Sequence, residues 1–509
     1  MFLLDTMARY DIIIIGTGAG GATLAYALAP TGKRILLLEK GDYIPREKAN
    51  WDIKALYSEG RYQVSEQWQD GDNNSFQPGL YHRVGGSTKV YGAALLRMRE
   101  RDFETVNHLE GISPAWPLKY EDFEPYYTEA ESLYKVHGNR GEDPWEPIAS
   151  SEFPFPALPH EPRIQTVAEK LQQQGLQPFS LPMGINRNSA KPRQSPCIRC
   201  DTCDGFPCLL DAKADAQTCC VDKAIQYDNV ALLTNATVDR LIPNAAGNEI
   251  SAVSVVVNGV AEHYSADVVV VACGAINSAA LLLKSACDGH PNGLANSSGM
   301  VGRHFMKHVV SKLFAIAPAA NETVFQKTLA VNDFYFESEA APFPLGHVHL
   351  MGKHRGQTAQ SDLPWLPMPL LEAITHRSVD WWMQTEDLPD PNNRVILTAD
   401  GRIRVNYSPN NVKAHQRFKQ VFKQRLHQAG FPLVLDTSIP LKILNHQVGT
   451  CRFGTDLKTS VLDLNCRTHD VGNLYVVDSS FFPSSSAVNP TLTIVANALR
   501  VARHLKGGG

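Results

Sequence analysis

The 509-residue sequence predicts an α/β fold in two parts, a discontinuous Rossmann-like domain and a domain with a mostly antiparallel sheet backed by helices. Three observations predict it. An apolar strand enters a glycine-rich turn near the N-terminus, and a second apolar run, Val268–Ala272, enters another turn at Gly274. Between about residues 310 and 440, strand candidates mix apolar and polar residues. The chain then returns to the first domain, which is therefore discontinuous.

The N-terminal glycine turn has the spacing of a dinucleotide site. Residues 12–15 are isoleucines, typical of a buried parallel strand, and Gly16, Gly18 and Gly21 follow in a G-x-G-x-x-G pattern. Gly16 permits a tight turn and Gly18 lets the backbone approach a pyrophosphate. Gly21 lets the next helix pack on the strand, with its N-terminal N–H groups facing the phosphates.

An acidic residue supports this interpretation. A second strand, residues 34–38, ends at Glu39, 18 residues after Gly21. This is close to the roughly 20-residue offset of an acid that binds the ribose hydroxyls, and it disfavours a 2′-phosphate. The alternative is a glycine-rich turn without a ligand, which the strand, the helix and the acid together disfavour.

Composition limits the remaining classes. The net charge of −4 offers no field for a polyanion, so we expect no nucleic-acid partner. No apolar stretch reaches the roughly 18 residues of a membrane span. The N-terminus is too short and too weakly basic for a secretory signal, so we expect a cytoplasmic protein.

The domain boundaries follow the change in pattern. We place the dinucleotide-binding domain at residues 7–110, 190–310 and 440–506, and the substrate-binding domain at 111–189 and 311–439. Residues 112–196 are rich in proline and predict an irregular segment with short helices. The strand candidates of the second domain are residues 312–316, 334–336, 346–350 and 394–397, and a helix is predicted over 411–429.

A cysteine cluster leaves several alternatives open. Cys197, Cys200, Cys203 and Cys208 form a C-x2-C-x2-C-x4-C pattern that superficially resembles iron–sulfur spacing. Four thiolates can hold a cluster or a zinc ion, but no companion C-x-x-C or histidine pair lies nearby. They can equally be structural thiols or include a disulfide. We predict no metal here.

Six motifs, taken in order, resemble the glucose–methanol–choline (GMC) family of FAD-dependent oxidoreductases over most of the chain. The motifs are Gly16-x-Gly18-x-x-Gly21 with Glu39, Gly85-Gly86-Ser87-Thr88, Gly274-Ala-Ile-Asn-Ser-Ala-Ala-Leu-Leu-Leu, Val301-Gly302-Arg303, His446-x-x-Gly449-Thr450, and Val477-Asp478-Ser479 followed by Asn489-Pro490. Each motif is weak alone, and their shared order carries the resemblance.

The resemblance implies a set of FAD contacts. Gly85, Gly86 and Ser87 would lie along the flavin and pyrophosphate, Val238 and Ala272 to Gly274 would flank the adenine side, and Asp478 would hold the ribityl–pyrophosphate region. Some members carry a histidine covalently bound to the flavin just after the Gly-Gly loop. Residues 89–91 contain none, so we expect FAD to be bound without a covalent bond.

The resemblance also places His446 and Asn489 over the reactive edge of the flavin. A histidine can accept the hydroxyl proton of a carbinol near neutral pH, and an asparagine amide can orient the oxygen. The alternative for His446 is a core histidine bonded to the backbone. Pro490 suits the first turn of the last helix, whose positive end would face the N1/C2=O edge of the flavin. Asn489 as a plain N-cap is compatible with this.

The predicted function is FAD-dependent oxidation of a CH–OH group of an alcohol, a sugar or glycoside, or a sterol-like substrate. Hydride would pass to flavin N5 with a histidine as general base, and oxygen, a quinone or a redox protein would take the electrons. A non-redox lyase and an inactive binding protein on the same scaffold are the alternatives, and a nicotinamide enzyme is a weaker one.

Four further histidines and two tryptophans are also candidates for function. His304 and His308 lack a third ligand and are not interpreted as a zinc site. His347 and His349 share one face of a strand, which faces either a cavity or solvent. The tryptophans at 381 and 382 either stack on a sugar ring or fill the core.

Overall fold

The strand before the glycine turn lies inside a seven-stranded sheet. The computed structural model describes residues 8–443 and 445–507, so the predicted first residue of the domain, residue 7, lies outside the described residues. Along the sheet the strands are Val230–Leu233, Ile35–Leu38, Ala8–Ile15, Val260–Val271, Ile250–Val257 and Ala236–Pro243, and Leu474–Val476 also pairs with Val260–Val271. Ile250–Val257 pairs antiparallel with both of its neighbours on that path, and the other pairings are parallel.

The parallel strands end level with one another. Ile15 is in register with both Leu38 and Val271, and these are in turn in register with Leu233 and Val476. Residues that follow the strands therefore meet along one edge of the sheet. In open α/β sheets this carboxyl edge is where ligands bind.

The second sheet is antiparallel, as predicted. Its six strands are, in order, Leu433–Ser438, Val309–Ile316, Ser378–Thr385, His347–Leu350, Leu329–Val331 and Phe179–Ser180. One face packs on helices Pro162–Gln172 and Val412–Gln428 through a separate apolar core. That core contains Val348, Leu350, Trp381 and Met383. Because successive side chains of a strand point to opposite faces, the residues that alternate with these four lie on the other face of the sheet.

A four-stranded sheet joins the two predicted domains. It consists of Arg394–Leu397, Ile403–Asn406, Trp68–Asp70 and Ser75–Phe76. The first two of these strands lie in the predicted substrate-binding domain, and the other two lie in the predicted dinucleotide-binding domain. The domain division therefore stays a prediction, although the strands of the seven-stranded sheet all fall within the segments predicted for the first domain.

Helices cover the first sheet. The remaining described α-helices are Ala19–Leu28, Tyr120–Leu133, Asp222–Ala224, Ala275–Lys284, Gly356–Ala359, Met368–Thr375 and Thr491–Leu505. Helices Ala19–Leu28 and Tyr120–Leu133 both pack against Thr491–Leu505. None of the helices in the described part of the chain combines the length and apolarity that a membrane crossing requires.

One predicted strand is wrong. Residues 334–336 form a turn, in which the Tyr335 amide donates to the Asn332 carbonyl at 2.9 Å, and the strand lies earlier, at Leu329–Val331. The aromatic residues are buried in the turn by tertiary contacts, with the Arg101 guanidinium 4.2 Å from the Phe336 ring. Packing has overridden the strand propensity of the aromatic run.

Candidate active site

The glycine turn fits a closely approaching ligand on one side only. Gly16 has a φ of +99°, and a methyl group added there would lie 2.4 Å from the Ala272 carbonyl oxygen. A methyl on Gly21 would lie 2.1 Å from the Gly16 carbonyl oxygen. By contrast, nothing lies within 4 Å of a methyl added at Gly18. Gly18 thus leaves open the space that the sequence assigned to a pyrophosphate.

Glu39 is held at the adjacent strand end. One carboxylate oxygen accepts from the amide and the hydroxyl of Thr17 at 3.1 and 2.6 Å, and the other accepts from the Gly41 amide at 3.2 Å. Burial raises the pKa of Glu39. The carboxylate is therefore fixed beside the glycine turn, where a ribose would lie if the turn binds a pyrophosphate.

The Gly-Gly loop is attached to the same turn. The Gly85 amide donates to the Thr17 hydroxyl at 3.2 Å, and a methyl on Gly86 would lie 3.0 Å from the Cα of Gly18. Ser87 is exposed and stands at the rim of the loop. Lys89 begins the stretch that corresponds to the flavin-bound histidine of some members of the resembled family. It forms a buried ion pair with Asp215 at 2.9 Å.

The predicted adenine-side residues lie at neighbouring strand ends. The Ala272 amide donates to the Ile15 carbonyl at 2.8 Å, which sets Ala272 beside Gly16. Gly274 has a φ of +83° and precedes helix Ala275–Lys284. Val238 is half-buried on the strand that begins at Ala236, whose amide donates to the Glu39 carbonyl at 2.9 Å.

Asp478 connects the C-terminal segment to this edge. One of its oxygens accepts from the Gly274 amide at 2.9 Å and from the Ser278 hydroxyl, and the other accepts from the Ser480 amide at 2.8 Å. Burial raises its pKa. The carboxylate thus organises the start of helix Ala275–Lys284 from within the protein, and the contact with the ribityl–pyrophosphate region stays a prediction.

The position of His446 follows from a short antiparallel pairing. Met306 and Val448 exchange backbone hydrogen bonds of 3.1 and 2.9 Å, which sets His308 opposite His446. The Thr450 hydroxyl donates to the Ala275 carbonyl at 2.6 Å and fixes the end of the segment. His446 itself has a φ of +54°, an uncommon value for a residue with a side chain.

A chain of hydrogen bonds determines which nitrogen of His446 carries the proton. The Trp382 indole can only donate, so its bond to Gln384 Oε1 at 2.9 Å orients the glutamine amide. Gln384 Nε2 then donates to Asn489 Oδ1 at 3.3 Å. This leaves Asn489 Nδ2 to donate to His446 Nε2 at 3.2 Å.

The chain continues on the other side of the ring. His446 Nδ1 lies 2.8 Å from His308 Nδ1, and His308 Nε2 lies 3.4 Å from the Ser485 carbonyl oxygen, which can only accept. His308 therefore donates from Nε2 and accepts at Nδ1, so His446 carries its proton on Nδ1. The lone pair of His446 Nε2 faces Asn489, ready to accept a proton.

Burial keeps both imidazoles neutral. Burial lowers the pKa of His446 well below its ordinary value, with a further lowering from the neighbouring His308. Burial also lowers the pKa of His308 to about 4. A neutral His446 is the form that can act as a base.

The last helix begins as predicted, and the plain capping role is wrong. Pro490 is the N-cap of helix Thr491–Leu505, and no side chain caps it. The Asn489 side chain is instead engaged by Gln384 and His446. The amide therefore belongs to the hydrogen-bond chain rather than to the helix terminus.

Sequence reasoning did not connect three residues of this site, His308, Trp382 and Gln384, with His446. The register pairs His347 with Gln384 and His349 with Trp382, so all four side chains lie on the sheet face opposite the apolar core. The open question on the two histidines is thereby answered, because both are buried on the face that carries the His446 contacts. Trp381 fills the core, and Trp382 lies 6.2 Å from the His446 ring.

The cysteine loop contacts the segment after the Gly-Gly loop and the segment that leads into strand Leu329–Val331. The Gly205 amide donates to the Val90 carbonyl at 2.9 Å, and Asp204 accepts from Lys327 Nζ at 2.7 Å. All ten cysteines are free thiols, and the described residues include no set of three or more metal-ligating side chains arranged around one point. Burial raises the pKa of Cys203 to about 12.

We expect the purified protein to contain no iron–sulfur cluster. The reason is the x4 gap before Cys208, which departs from the x3 spacing of the iron–sulfur pattern. Iron and acid-labile sulfide, measured after anaerobic purification, should both be far below one per chain. Near-stoichiometric amounts of both would overturn the prediction and would identify the loop as an electron exit.

Comparison with known proteins identifies the family. Sequence models of the GMC oxidoreductases match residues 10–310 and 393–498. The chain therefore belongs to the GMC oxidoreductase family, and it is an FAD-dependent oxidoreductase that acts on CH–OH donors. The family resemblance inferred from the six motifs is confirmed.

Individual relatives match along almost the full chain. It is 29% identical to 6'''-hydroxyparomomycin C oxidase of Streptomyces lividus, with 97% of this chain and 91% of the relative covered. It is 28% identical to the fructose dehydrogenase large subunit of Gluconobacter japonicus, with 97% of each covered. The crystal structure of pyridoxine 4-oxidase from Mesorbium loti shares the fold, with a TM-score of 0.70, 19% identity, and coverage of 98% and 99%.

Proposed function

We propose that this protein oxidises the carbinol of a sugar, a polyol or a related alcohol, with His446 as the general base and Asn489 as the orienting group. The observation that carries the proposal is the hydrogen-bond chain, which leaves the Nε2 lone pair of His446 facing the Asn489 amide at 3.2 Å. Relatives named for hydroxyparomomycin, fructose and 2-methyl-1,2-propanediol support the substrate class.

The residues suggest how a substrate hydroxyl would be held. A substrate hydroxyl would displace the 3.2 Å hydrogen bond between the two side chains, accept from Asn489 Nδ2 and donate to His446 Nε2. Its proton would pass to Nε2 as the C–H bond breaks. His308 would keep the proton on Nδ1 of His446, because its own Nδ1 accepts that bond. Bound FAD supplies the two-electron acceptor, with flavin N5 as the site that takes the hydride.

The open Gly18, the buried Glu39 and the Gly85-Gly86 loop are the residues we assign to the dinucleotide. They surround the carboxyl edge of the first sheet, where the N-terminus of helix Ala19–Leu28 faces outward. The start of helix Thr491–Leu505, at Pro490, is assigned to the N1/C2=O edge of the flavin, where a positive helix end stabilises negative charge. Oxygen, a quinone or a redox protein would accept the electrons afterwards.

The direct test is anaerobic bleaching of the flavin by a panel of sugars, glycosides, polyols, simple alcohols and sterols. We expect at least one compound of this panel to bleach the flavin. A flavin-loaded protein that none of the panel reduces would favour the lyase or binding-protein alternatives and would contradict the proposal.

We expect FAD to be bound without a covalent bond. Residues 89–91 contain no histidine, and Lys89 is occupied by its buried ion pair with Asp215. Acid precipitation should release free yellow FAD into the supernatant. Flavin retained by the washed pellet would contradict this expectation.

A further inference from the structure

Two buried histidines beside the site have unsatisfied nitrogen atoms. His347 and His349 are 0% and 2% exposed, and their rings lie 5.1 Å apart. The Nε2 atom of each has no hydrogen-bond partner among the residues that the structure describes. Buried polar atoms are normally bonded, and leaving one unpaired is costly.

The partners of the other ring nitrogens fix both imidazoles as acceptors. Asn332 donates through Nδ2 to Asp143 at 2.7 Å, so its Oδ1 is the atom 2.6 Å from His347 Nδ1. His347 must therefore donate from Nδ1. His349 Nδ1 lies 2.8 Å from the Leu350 carbonyl oxygen and must also donate. A neutral imidazole that donates from Nδ1 has a lone pair on Nε2.

Both rings are in the neutral form. Burial lowers the pKa of His349 to about 3 and that of His347 well below its ordinary value. The ammonium group of Lys327, whose charge further lowers the pKa of His349, is bonded to Asp204 at 2.7 Å. Two acceptor lone pairs thus lie side by side with no donor from the protein.

The strand register places these acceptors beside the reacting groups. His347 is directly opposite Gln384, whose amide contacts Asn489, and His349 is opposite Trp382, whose ring faces His446. Directly paired residues on one sheet face are neighbours, with Cβ atoms about 5 Å apart. A substrate whose carbinol lies between His446 and Asn489 would therefore extend toward the two histidines.

We propose that the Nε2 atoms of His347 and His349 form a subsite that accepts hydrogen bonds from a second donor group of the substrate, a hydroxyl or an ammonium. This inference rests on the proposed function and narrows its substrate class. An alkyl or sterol surface would leave both acceptors unpaired, whereas the single O–H of a neighbouring hydroxyl can satisfy one of them and the N–H groups of an ammonium can satisfy both. The enzyme therefore selects donor-bearing carbinols against simple alcohols.

Three small alcohols that differ in one substituent test the subsite. The FAD-loaded enzyme is mixed anaerobically with 1-propanol, 1,2-propanediol or 2-amino-1-propanol, and the rate constant of flavin reduction and the substrate Kd are separated by their concentration dependence. We expect the diol, the amino alcohol or both to exceed 1-propanol in the ratio of rate constant to Kd by about 3- to 10-fold, the value of one net hydrogen bond. The two donor-bearing arms distinguish a hydroxyl from an ammonium.

Paired variants identify the acceptor. His349→Met and His347→Met remove the Nε2 acceptor, whereas His349→Gln and His347→Gln keep an acceptor oxygen at similar reach. Both kinds of variant lose the Nδ1 bond, so the difference between them reports on Nε2 alone. We expect the methionine variants to lose the preference through Kd and the glutamine variants to retain most of it, each preference being measured against reduction of the same variant by 1-propanol.

The outcomes separate this inference from the proposed function. A parent enzyme reduced equally by all three alcohols, or methionine and glutamine variants with the same preference, overturns the subsite and leaves the redox function standing. If none of the three alcohols and no sugar reduces the parent flavin, the proposed function fails and the subsite fails with it.

Discussion

His446→Ala should remain folded and loaded with FAD, and its flavin should be reduced by substrate about 10²–10⁴-fold more slowly than in the parent. The reason is that the substitution removes the Nε2 lone pair that faces Asn489. Rapid mixing without oxygen measures this half-reaction independently of the electron acceptor.

The pH dependence gives a second signature of the same base. Burial holds the pKa of His446 low, so the imidazole is unprotonated at neutral pH and becomes protonated only in acid. The reduction rate of the parent should therefore be flat across neutral pH and fall as the pH drops through this lowered pKa. In His446→Ala the acid limb should flatten or move.

Two further variants separate the base from its surroundings. Asn489→Ala should also slow reduction, by a smaller factor, because it removes the orienting amide and keeps the proton acceptor. His376→Ala is the matched control, since this histidine has a side chain that is 56% exposed and lies outside the site. A folded, FAD-loaded His446→Ala that is reduced at the parental rate would rule out the mechanism.

The dinucleotide half of the site could be predicted because its signals are local. Gly16 and Glu39 each follow directly after an apolar strand, and parallel strands in register end at one edge. Once both strands are recognised, their positions in space follow. The C-terminal return was predictable for the same reason, since Asp478 also follows a short apolar strand that ends at this edge.

The catalytic half could be predicted only in part, because its contacts depend on register between distant segments. His308 and His446 are 138 residues apart and meet through one two-residue pairing at Met306 and Val448. A pairing of two residues is too short to produce a periodic pattern in the sequence. Gln384 lies in the strand Ser378–Thr385, and its role depends on which strand is its neighbour. Alternation in a sequence indicates which face a side chain lies on, but it does not identify the neighbouring strand.

Two short strands could not be predicted from the sequence for a related reason. Trp68–Asp70 and Ser75–Phe76 have three and two residues, too few to show a period, and Trp68–Asp70 also pairs with Ile403–Asn406, more than 300 residues away. Tertiary pairing alone makes them strands. The same sheet is what crosses the predicted domain boundary.

Substitutions of two neighbouring glycines should have opposite consequences, and this is the second large effect that we expect. A methyl group added at Gly20 would lie 1.9 Å from the Val477 carbonyl oxygen, so the backbone of the helix or of the C-terminal segment must move. Gly20→Ala should therefore destabilise the fold by about 1–3 kcal/mol or more, despite the better helix propensity of alanine.

Gly18→Ala is the matched control for the fold and the test for the cofactor. Gly18 has a φ of −70°, which alanine adopts freely, and nothing lies within 4 Å of the added methyl. The variant should unfold like the parent. If the pyrophosphate approaches the backbone here, the methyl must intrude on it, and a similar cost of ~1–3 kcal/mol weakens the Kd for FAD roughly 5- to 150-fold.

Two measurements on each purified variant separate the effects. Denaturant unfolding reports the fold, and fluorescence titration after FAD removal reports the Kd. We expect a lowered free energy of unfolding for Gly20→Ala and a raised Kd with unchanged unfolding of the FAD-free protein for Gly18→Ala. Parental FAD affinity in Gly18→Ala would show that the dinucleotide does not pass over this turn. Parental stability in Gly20→Ala would contradict the close contact with Val477, on which the return of the C-terminal segment to the glycine turn depends.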